Sequence, residues 1–452
     1  MKELWTKYKD EYRKLLELGG PILVTQLSVI ALAFSDTIMV GHYSVNALAA
    51  AAFVNSLFLV PNFMLMGLSG GLTPMAGALH SQKNPCQVGR VTSAAMQVNL
   101  LVALAFTALE AAMYFLLDHF GQPADLMPEI RSYYLVLLLA PLPMTVYNVI
   151  MQMCNGIENP SLPMWITLFC ILFNILGNWL LIYGAGIFPE LGLLGAGIAT
   201  VTARIVGALA IVACFWFQKR YGSYREGVRH AFKLSKERIE VWRTSWPLML
   251  QGGFECGLWS LSGVVIGWFG AVQLAAYQVV NTISQLGFMI YMSFTTAVAI
   301  RVAYYAGLRN EAGAGAVARA GMHINLILAT LASLAFWIFG EHLINLFINT
   351  GEGNVQGDAV VASAMALILP LVVYQYFDAL QLTFCNAIRG TGQVKPLFWI
   401  SLTSYIFVGI PFLFLFAVGF DGGNIGAYWS FNIALLTACA MSIFIFRRIR
   451  FN

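Results

Sequence analysis

Pro21, Gly41 and Leu48-Ala49-Ala50 return 226 residues later as Pro247, Gly267 and Leu274-Ala275-Ala276, in a chain of 452 residues. A period equal to half the chain means that one folding unit is used twice. Further along, Cys154-Asn155-Gly156-Ile157 matches Cys385-Asn386-Ala387-Ile388, and Gly195-Ala196 matches Gly426-Ala427. Both pairs stand at an offset of 231, so five residues have been added to the second copy by then. In transporters built from repeats the substrate and ion sites lie between the two copies, so the repeat also says where to look for function.

The solvent for these two units follows from composition. The chain is 59% hydrophobic and 10% charged, whereas soluble domains carry roughly 25% charged residues. Apolar stretches repeatedly exceed the ~20 residues that cross a bilayer as a helix. Twelve spans are expected, near 16–39, 46–79, 91–117, 132–154, 162–184, 191–217, 241–266, 273–306, 315–340, 359–387, 396–419 and 423–446. The second and eighth are too long for a straight crossing and should tilt or kink. The first residues are charged and no small-residue cleavage site follows the first apolar run, so no cleaved leader is expected.

Charge placement orients the chain. With the N-terminus inside, 23 of the 25 Lys and Arg residues fall in inner segments; the exceptions are Arg131 and Arg204. This positive-inside bias supports an even span count with both termini cytoplasmic. The net charge of +4 is thus a topology signal, and nucleic acid is not an expected partner. An N-terminal lobe (1–218), a basic cytoplasmic linker (219–240) and a C-terminal lobe (241–452) follow. Six spans in each lobe make the copies parallel, related by a pseudo-twofold along the membrane normal. The fold expected is an all-α membrane protein in which Pro21 and Pro247 kink or hinge equivalent helices. The seven cysteines include no CxxC pair and none in an outer loop. Neither a disulfide framework nor zinc is expected.

Four carboxylates interrupt the spans: Asp36, Glu110, Glu255 and Asp378. Each costs about 2.5–3.5 kcal/mol near the bilayer centre, so such groups face a cavity, an ion path or a partner. At the repeat offset Glu255 corresponds to Val29, two helical turns from Asp36. The two acids therefore share a face of equivalent helices, about 10 Å apart in depth at ~1.5 Å per residue. Tyr374 lies one turn before Asp378, and a phenol beside a carboxylate suits a hard cation such as Na⁺. Glu110, about two turns from the outer end of its span, is close enough to snorkel and fits a structural role. Asn174 and Asn178 face one way at i, i+4, with Thr200 following on the next span. On the residues alone, helix–helix glue and ion binding both fit them. Arg204 sits mid-span without an obvious partner.

Enzyme signatures are lacking. There is no GxxxxGK[ST] and no HExxH. Gly67-Leu68-Ser69-Gly70-Gly71 fits GxSxG but lies in an apolar helical run with no strand before it. Its glycines should break the long second span instead.

The chain resembles the multidrug and toxic compound extrusion (MATE) family, most closely its NorM-like branch. The residues that carry the resemblance are Gly20-Pro21, Asp36-Thr37-Ile38-Met39-Val40-Gly41, Glu255, and Asp378-Ala379-Leu380-Gln381 followed by Arg389-Gly390. The resemblance implies an antiporter in a bacterial inner (plasma) membrane. It would expel cationic lipophilic drugs or dyes in exchange for Na⁺ or H⁺, by alternating access of two lobes. It implies a C-lobe cation site that maps onto Glu255, Tyr374 and Asp378, with Na⁺ at the two acids. It also implies an N-lobe cluster for cation, proton or substrate that maps onto Asp36, Asn174, Asn178 and Thr200. Asn178 stands where some relatives have an acid, which weighs against a purely proton-driven N-lobe and favours Na⁺. No catalysis and no cofactor beyond the coupling ion are expected, and the protein should be a monomer. A lipid-precursor flippase of related architecture is the nearest rival, though a pyrophosphate-bearing substrate calls for a basic cavity. An intramembrane enzyme using Asp36 and Glu255 as acid and base is a more distant one.

Overall fold

The computed structural model describes residues 2–184, 188–229, 235–348 and 355–451. All regular structure among them is helical. The principal helices are α1 Lys2–Tyr43, α2 Val45–Gly70, α3 Leu72–Ser81, α4 Pro85–Tyr114, α5 Met127–Leu137, α6 Pro141–Gly156, α7 Ser161–Ile182, α8 Gly192–Phe217 and α9 Gly222–Arg229. The second half adds α10 Ser235–Gly267, α11 Ala271–Gly307, α12 Glu311–Asn345, α13 Val355–Met365, α14 Ile368–Gly390, α15 Lys395–Gly419 and α16 Gly423–Arg448.

Among the described residues ten segments are long and apolar enough to cross a membrane, and α5 with α6, bent by 41° at Leu138–Ala140, makes an eleventh. The twelfth expected span is α10. It has the length, 33 residues, but its first third carries Lys236, Glu237, Arg238, Glu240 and Arg243. The long second span breaks where the glycines predict. Gly71 separates α2 from α3, and a Cβ there would collide with Ser245 Oγ and Cα; one on Gly67 would meet the Leu248 carbonyl. These glycines let α2 and α3 touch the start of α10 backbone to backbone. They break a helix and build no nucleophile elbow.

The repeat is visible at atomic scale within each copy. Gly41 lies against Leu48 Cδ2, and Gly267 against Leu274 Cδ2. Lys83 and Arg309, 226 apart, both take positive φ (57° and 54°). Each precedes an asparagine that caps the next helix: Asn84 accepts from Gln87 N at 3.2 Å and Asn310 from Gly313 N at 2.9 Å. Such a cap satisfies one of the backbone donors left orphaned at a helix start.

The chain divides into two compact units, Val24–Met249 and Met1–Leu23 with Leu250–Asn452. These boundaries differ from the expected lobes, 1–218 and 241–452. They fall in the first helix of each copy, again 226 residues apart, just after Pro21 and Pro247. The reason is packing. Tyr8, Tyr12, Leu15 and Leu18 of α1 are buried with Ala297, Val298, Val317 and Ala318 of α11 and α12. Glu11 meets Arg301 at 3.3 Å with both side chains about nine-tenths buried, and Tyr305 donates its hydroxyl proton to Glu11. The Arg301 guanidinium lies over the Tyr304 and Tyr305 rings at 5.0 and 5.1 Å. Tyr12 Oη meets His323 Nδ1 at 2.7 Å.

The expected linker is only partly a linker. Residues 230–234, Lys233 among them, lie outside the described residues, but α9 packs along α4. A Cβ on Gly89 would strike the Tyr224 carbonyl, and one on Gly227 the Cys86 carbonyl. Tyr221 is fully buried and accepts from Asn159 Nδ2 at 2.8 Å.

Candidate cation sites

Within Val24–Met249 the acid is Asp36, on α1. Asn178 Nδ2 donates to its Oδ1 at 2.6 Å. Asn174 and Asn178, one turn apart on α7, are 1% and 0% exposed. The Asn174 amide fits the cluster in two orientations. Turned one way, its Oδ1 accepts from Asn178 at 3.1 Å and its Nδ2 donates to Thr200 Oγ1 at 3.4 Å. Turned the other way, its nitrogen donates to Asp36 at 3.0 Å and its oxygen accepts from Thr200 N at 3.3 Å. The four residues singled out from the sequence therefore form one connected network. Both amides can thus bond the carboxylate directly. Arg204 on α8 and Tyr133 on α5, neither paired with Asp36 from sequence, lie within electrostatic range of it. No ion pair joins Arg204 to Asp36 among the described residues.

The other unit holds Glu255 on α10 with Tyr374 and Asp378 on α14. Tyr374, Asp378, Gln381 and Cys385 recur at spacings of four, three and four, which places them on one face of the helix. All four are at least 95% buried. Asp378 Oδ2 has no hydrogen-bond partner among the described residues, and Glu255 is the charged group acting on it. Glu255 has Arg389 as its opposite charge. Trp259 of α10 stands edge-on to Tyr374 at 6.0 Å and stacks on Phe431 at 4.4 Å.

Tyr405 joins this group and was missed from the sequence. It lies within electrostatic range of both acids and Tyr374 and accepts from Gln381 Nε2 at 3.5 Å. The cause is local backbone. Leu402–Gly409 and Phe414–Gly419 of α15 form widened, π-type turns, on either side of Pro411, which has no N–H to give. Widened turns shift the side-chain register and are frequent at functional sites.

Two carboxyl groups, one arginine and two phenols make this an oxygen-rich group, with Asp378, Tyr374 and Tyr405 buried and Glu255 half-buried. Its phenols can donate or coordinate through oxygen, as a hard cation requires. The acids have no acidic counterparts in the other copy. Tyr147, equivalent to Asp378, donates to the Pro163 carbonyl at 2.9 Å and meets Thr167 Oγ1 at 2.6 Å. Ser262, equivalent to Asp36, donates to the Leu258 carbonyl at 2.8 Å.

Comparison with known proteins agrees with the repeat. The MatE family model matches twice, over residues 21–180 and 247–415, so both matches begin at the repeated prolines. The chain is 30% identical over 434 residues to a probable multidrug resistance protein NorM of Geobacillus kaustophilus (strain HTA426), covering 95% of this chain and 93% of that one. Among solved structures it superposes on a MOP superfamily transporter from Pyrococcus furiosus with a TM-score of 0.87 at 16% identity, covering 99% and 98% of the two chains. It superposes equally well on the eukaryotic MATE transporter AtDTX14, with a TM-score of 0.87 at 19% identity over 98% and 97%. Two matched copies and near full-length identity lead to one conclusion: the chain belongs to the MatE family of membrane transporters.

Proposed function

We propose that the protein is a cation-coupled multidrug efflux antiporter that exports cationic, lipophilic compounds by alternating access, with Na⁺ favoured over H⁺ as the coupling ion. The observation that supports this reading is Asp378: a carboxyl group 1% exposed, with an oxygen unpartnered among the described residues and a second acid as its neighbour. An uncompensated carboxylate of this kind is unfavourable at membrane depth. A bound cation, whether Na⁺ between Glu255, Tyr374 and Asp378 or the positive charge of a drug, relieves it.

Exchange follows if the ion and the drug favour different conformations, since a ligand shifts an equilibrium only through its differential affinity for the two states. In this reading the C-terminal group takes the coupling ion, and Asp36 with Asn174, Asn178 and Thr200 takes a cation, proton or substrate. Pro21 and Pro247 let α1 and α10 bend as the units change state. The NorM name of the Geobacillus relative supports the substrate class. The basic inner segments support a bacterial inner-membrane protein with both termini in the cytoplasm, working as a monomer. A lipid-precursor flippase fits less well, because the spans offer an anionic headgroup four acids.

The test is efflux of a cationic dye from proteoliposomes with a Na⁺ gradient or a pH gradient imposed separately. Dye movement driven by the Na⁺ gradient is the expected result. Movement with the pH gradient alone would replace Na⁺ by H⁺, and a response to neither would overturn the antiporter reading.

A further inference from the structure

Glu110 on α4 is the intramembrane acid that neither group uses. It does not snorkel as its sequence position suggests. It is 3% exposed, and neither carboxylate oxygen meets a hydrogen-bond donor among the described residues.

What surrounds it follows from the register of α2 against α4. At one level Ser69 Oγ donates to Asn99 Oδ1 at 2.9 Å. Next along, Leu65 and Ala103 pack in one cluster. Farther out the Phe58 ring lies 5.0 Å from Tyr134, whose hydroxyl donates to the Glu110 carbonyl at 2.7 Å. Ser69 to Phe58 and Asn99 to Glu110 are equal lengths of chain, so the two helices run antiparallel and in step. Asn62 and Thr107 occupy the remaining level, one turn inward of Phe58 and Glu110 respectively. Both contribute a buried oxygen without a partner among the described residues, Asn62 Oδ1 and Thr107 Oγ1.

No opposite charge acts on it among the described residues. α2 and α6 contain no charged residue. α3, with His80, and α9 pack toward the inner end of α4, where Gly89 faces Tyr224. On α5 the nearest titratable groups are Tyr134 and, at the outer surface, Arg131, which is held by Asp118 at 2.6 Å and lies over the Tyr114 ring at 5.7 Å. The adjacent Tyr133 faces Asp36 instead. One short helix thus separates two acids that have different surroundings.

An ionised carboxylate without a donor is unfavourable here. A proton neutralises it outright. A sodium ion needs neutral oxygens to complete its shell, and these are what Asn62 and Thr107 leave unused. We propose that Glu110, Asn62 and Thr107 form a further site for a small monovalent cation, a proton or a sodium ion, within the Val24–Met249 unit and apart from the Asp36 cluster. It goes beyond the antiporter reading and does not rest on it.

Infrared spectroscopy of the purified full-length protein in lipid nanodiscs reads the site directly. The protonated carboxyl band of Glu110 is identified by its loss in E110Q, or by its frequency change in E110D if E110Q does not reach the membrane. A proton site loses this band as pH rises without Na⁺. A sodium site loses it at fixed pH as Na⁺ is added, and T107V then weakens the Na⁺ effect while leaving the proton titration in place. A Glu110 band unchanged by both pH and Na⁺ would make the residue a permanently protonated structural acid and overturn the proposal. Transport is not the readout, so the outcome is independent of whether the coupling ion acts at Glu255 and Asp378.

Discussion

At the scale of single residues, Glu255 and Asp378 make the clearest prediction. Each isosteric amide, Glu255→Gln or Asp378→Asn, removes one ionisable oxygen, replacing an acceptor with an NH2 donor, while keeping the side chain's shape. Asp378 has an unpartnered oxygen, so neutralising it removes a desolvation cost as well as a ligand. Both variants should therefore accumulate in the membrane as well as the parent. Drug export should fall by at least about tenfold, the equivalent of ~1.4 kcal/mol of lost stabilisation. Resistance measured beside membrane abundance checks this, and full resistance in both variants would remove these acids from the site. Asp36, Glu255 and Asp378 were legible because a carboxylate in an apolar run is an anomaly with few explanations. Asn174 and Asn178 stand out by helical spacing, and Thr200 joins them only through the family resemblance. Tyr405 and Tyr133 were not legible. A tyrosine is ordinary in such a chain, and only widened turns in α15 or the bend before α6 decide which way one faces. Glu110 stands out in the sequence as an intramembrane acid, but its burial does not, because distance from the end of a span says nothing of the protein packed around it.

At the scale of elements, helix lengths were readable and helix partners were not. The apolar runs gave nearly every span, and the glycines gave the break after α2. The docking of α9 on α4 had no apolar signal, since α9 is mostly polar and approaches through backbone at Gly89 and Gly227. That contact is open to test. Gly227→Val places a branched side chain where even a Cβ would overlap the Cys86 carbonyl. Overpacking of this kind costs about 1–3 kcal/mol, and backbone cannot rotate away as a side chain can. The variant should keep its transmembrane helices but release α9. The measurable result is faster tryptic cleavage at Lys219, Arg220 and Arg225 in intact membranes. An unchanged digestion pattern would mean that α9 does not hold this position against α4 in the membrane-embedded protein.

At the scale of the whole molecule, the repeat and the unit boundaries describe the same feature. The boundaries cut α1 after Leu23 and α10 after Met249, positions that are equivalent in the two copies. In each case a proline lies two residues before the cut. Proline removes one helical hydrogen bond and crowds the preceding turn, so it weakens a helix where the chain passes from one unit to the other. If the units move during transport, α1 and α10 must absorb the movement, and the repeated prolines are where bending is least costly. Pro21→Ala and Pro247→Ala restore the missing N–H and stiffen these helices. Neither residue belongs to the two acid groups, so equilibrium cation binding should stay within about twofold of the parent, an energy of ~0.4 kcal/mol. The rate of dye exchange should fall by roughly tenfold or more, since each ~1.4 kcal/mol added to the conformational barrier has that effect. Binding by calorimetry and exchange in proteoliposomes, measured on the same preparations, separate the two quantities. Loss of binding together with rate would place the prolines in the ion site. An undiminished rate in both variants would mean that the transport cycle does not bend these helices at the unit boundaries.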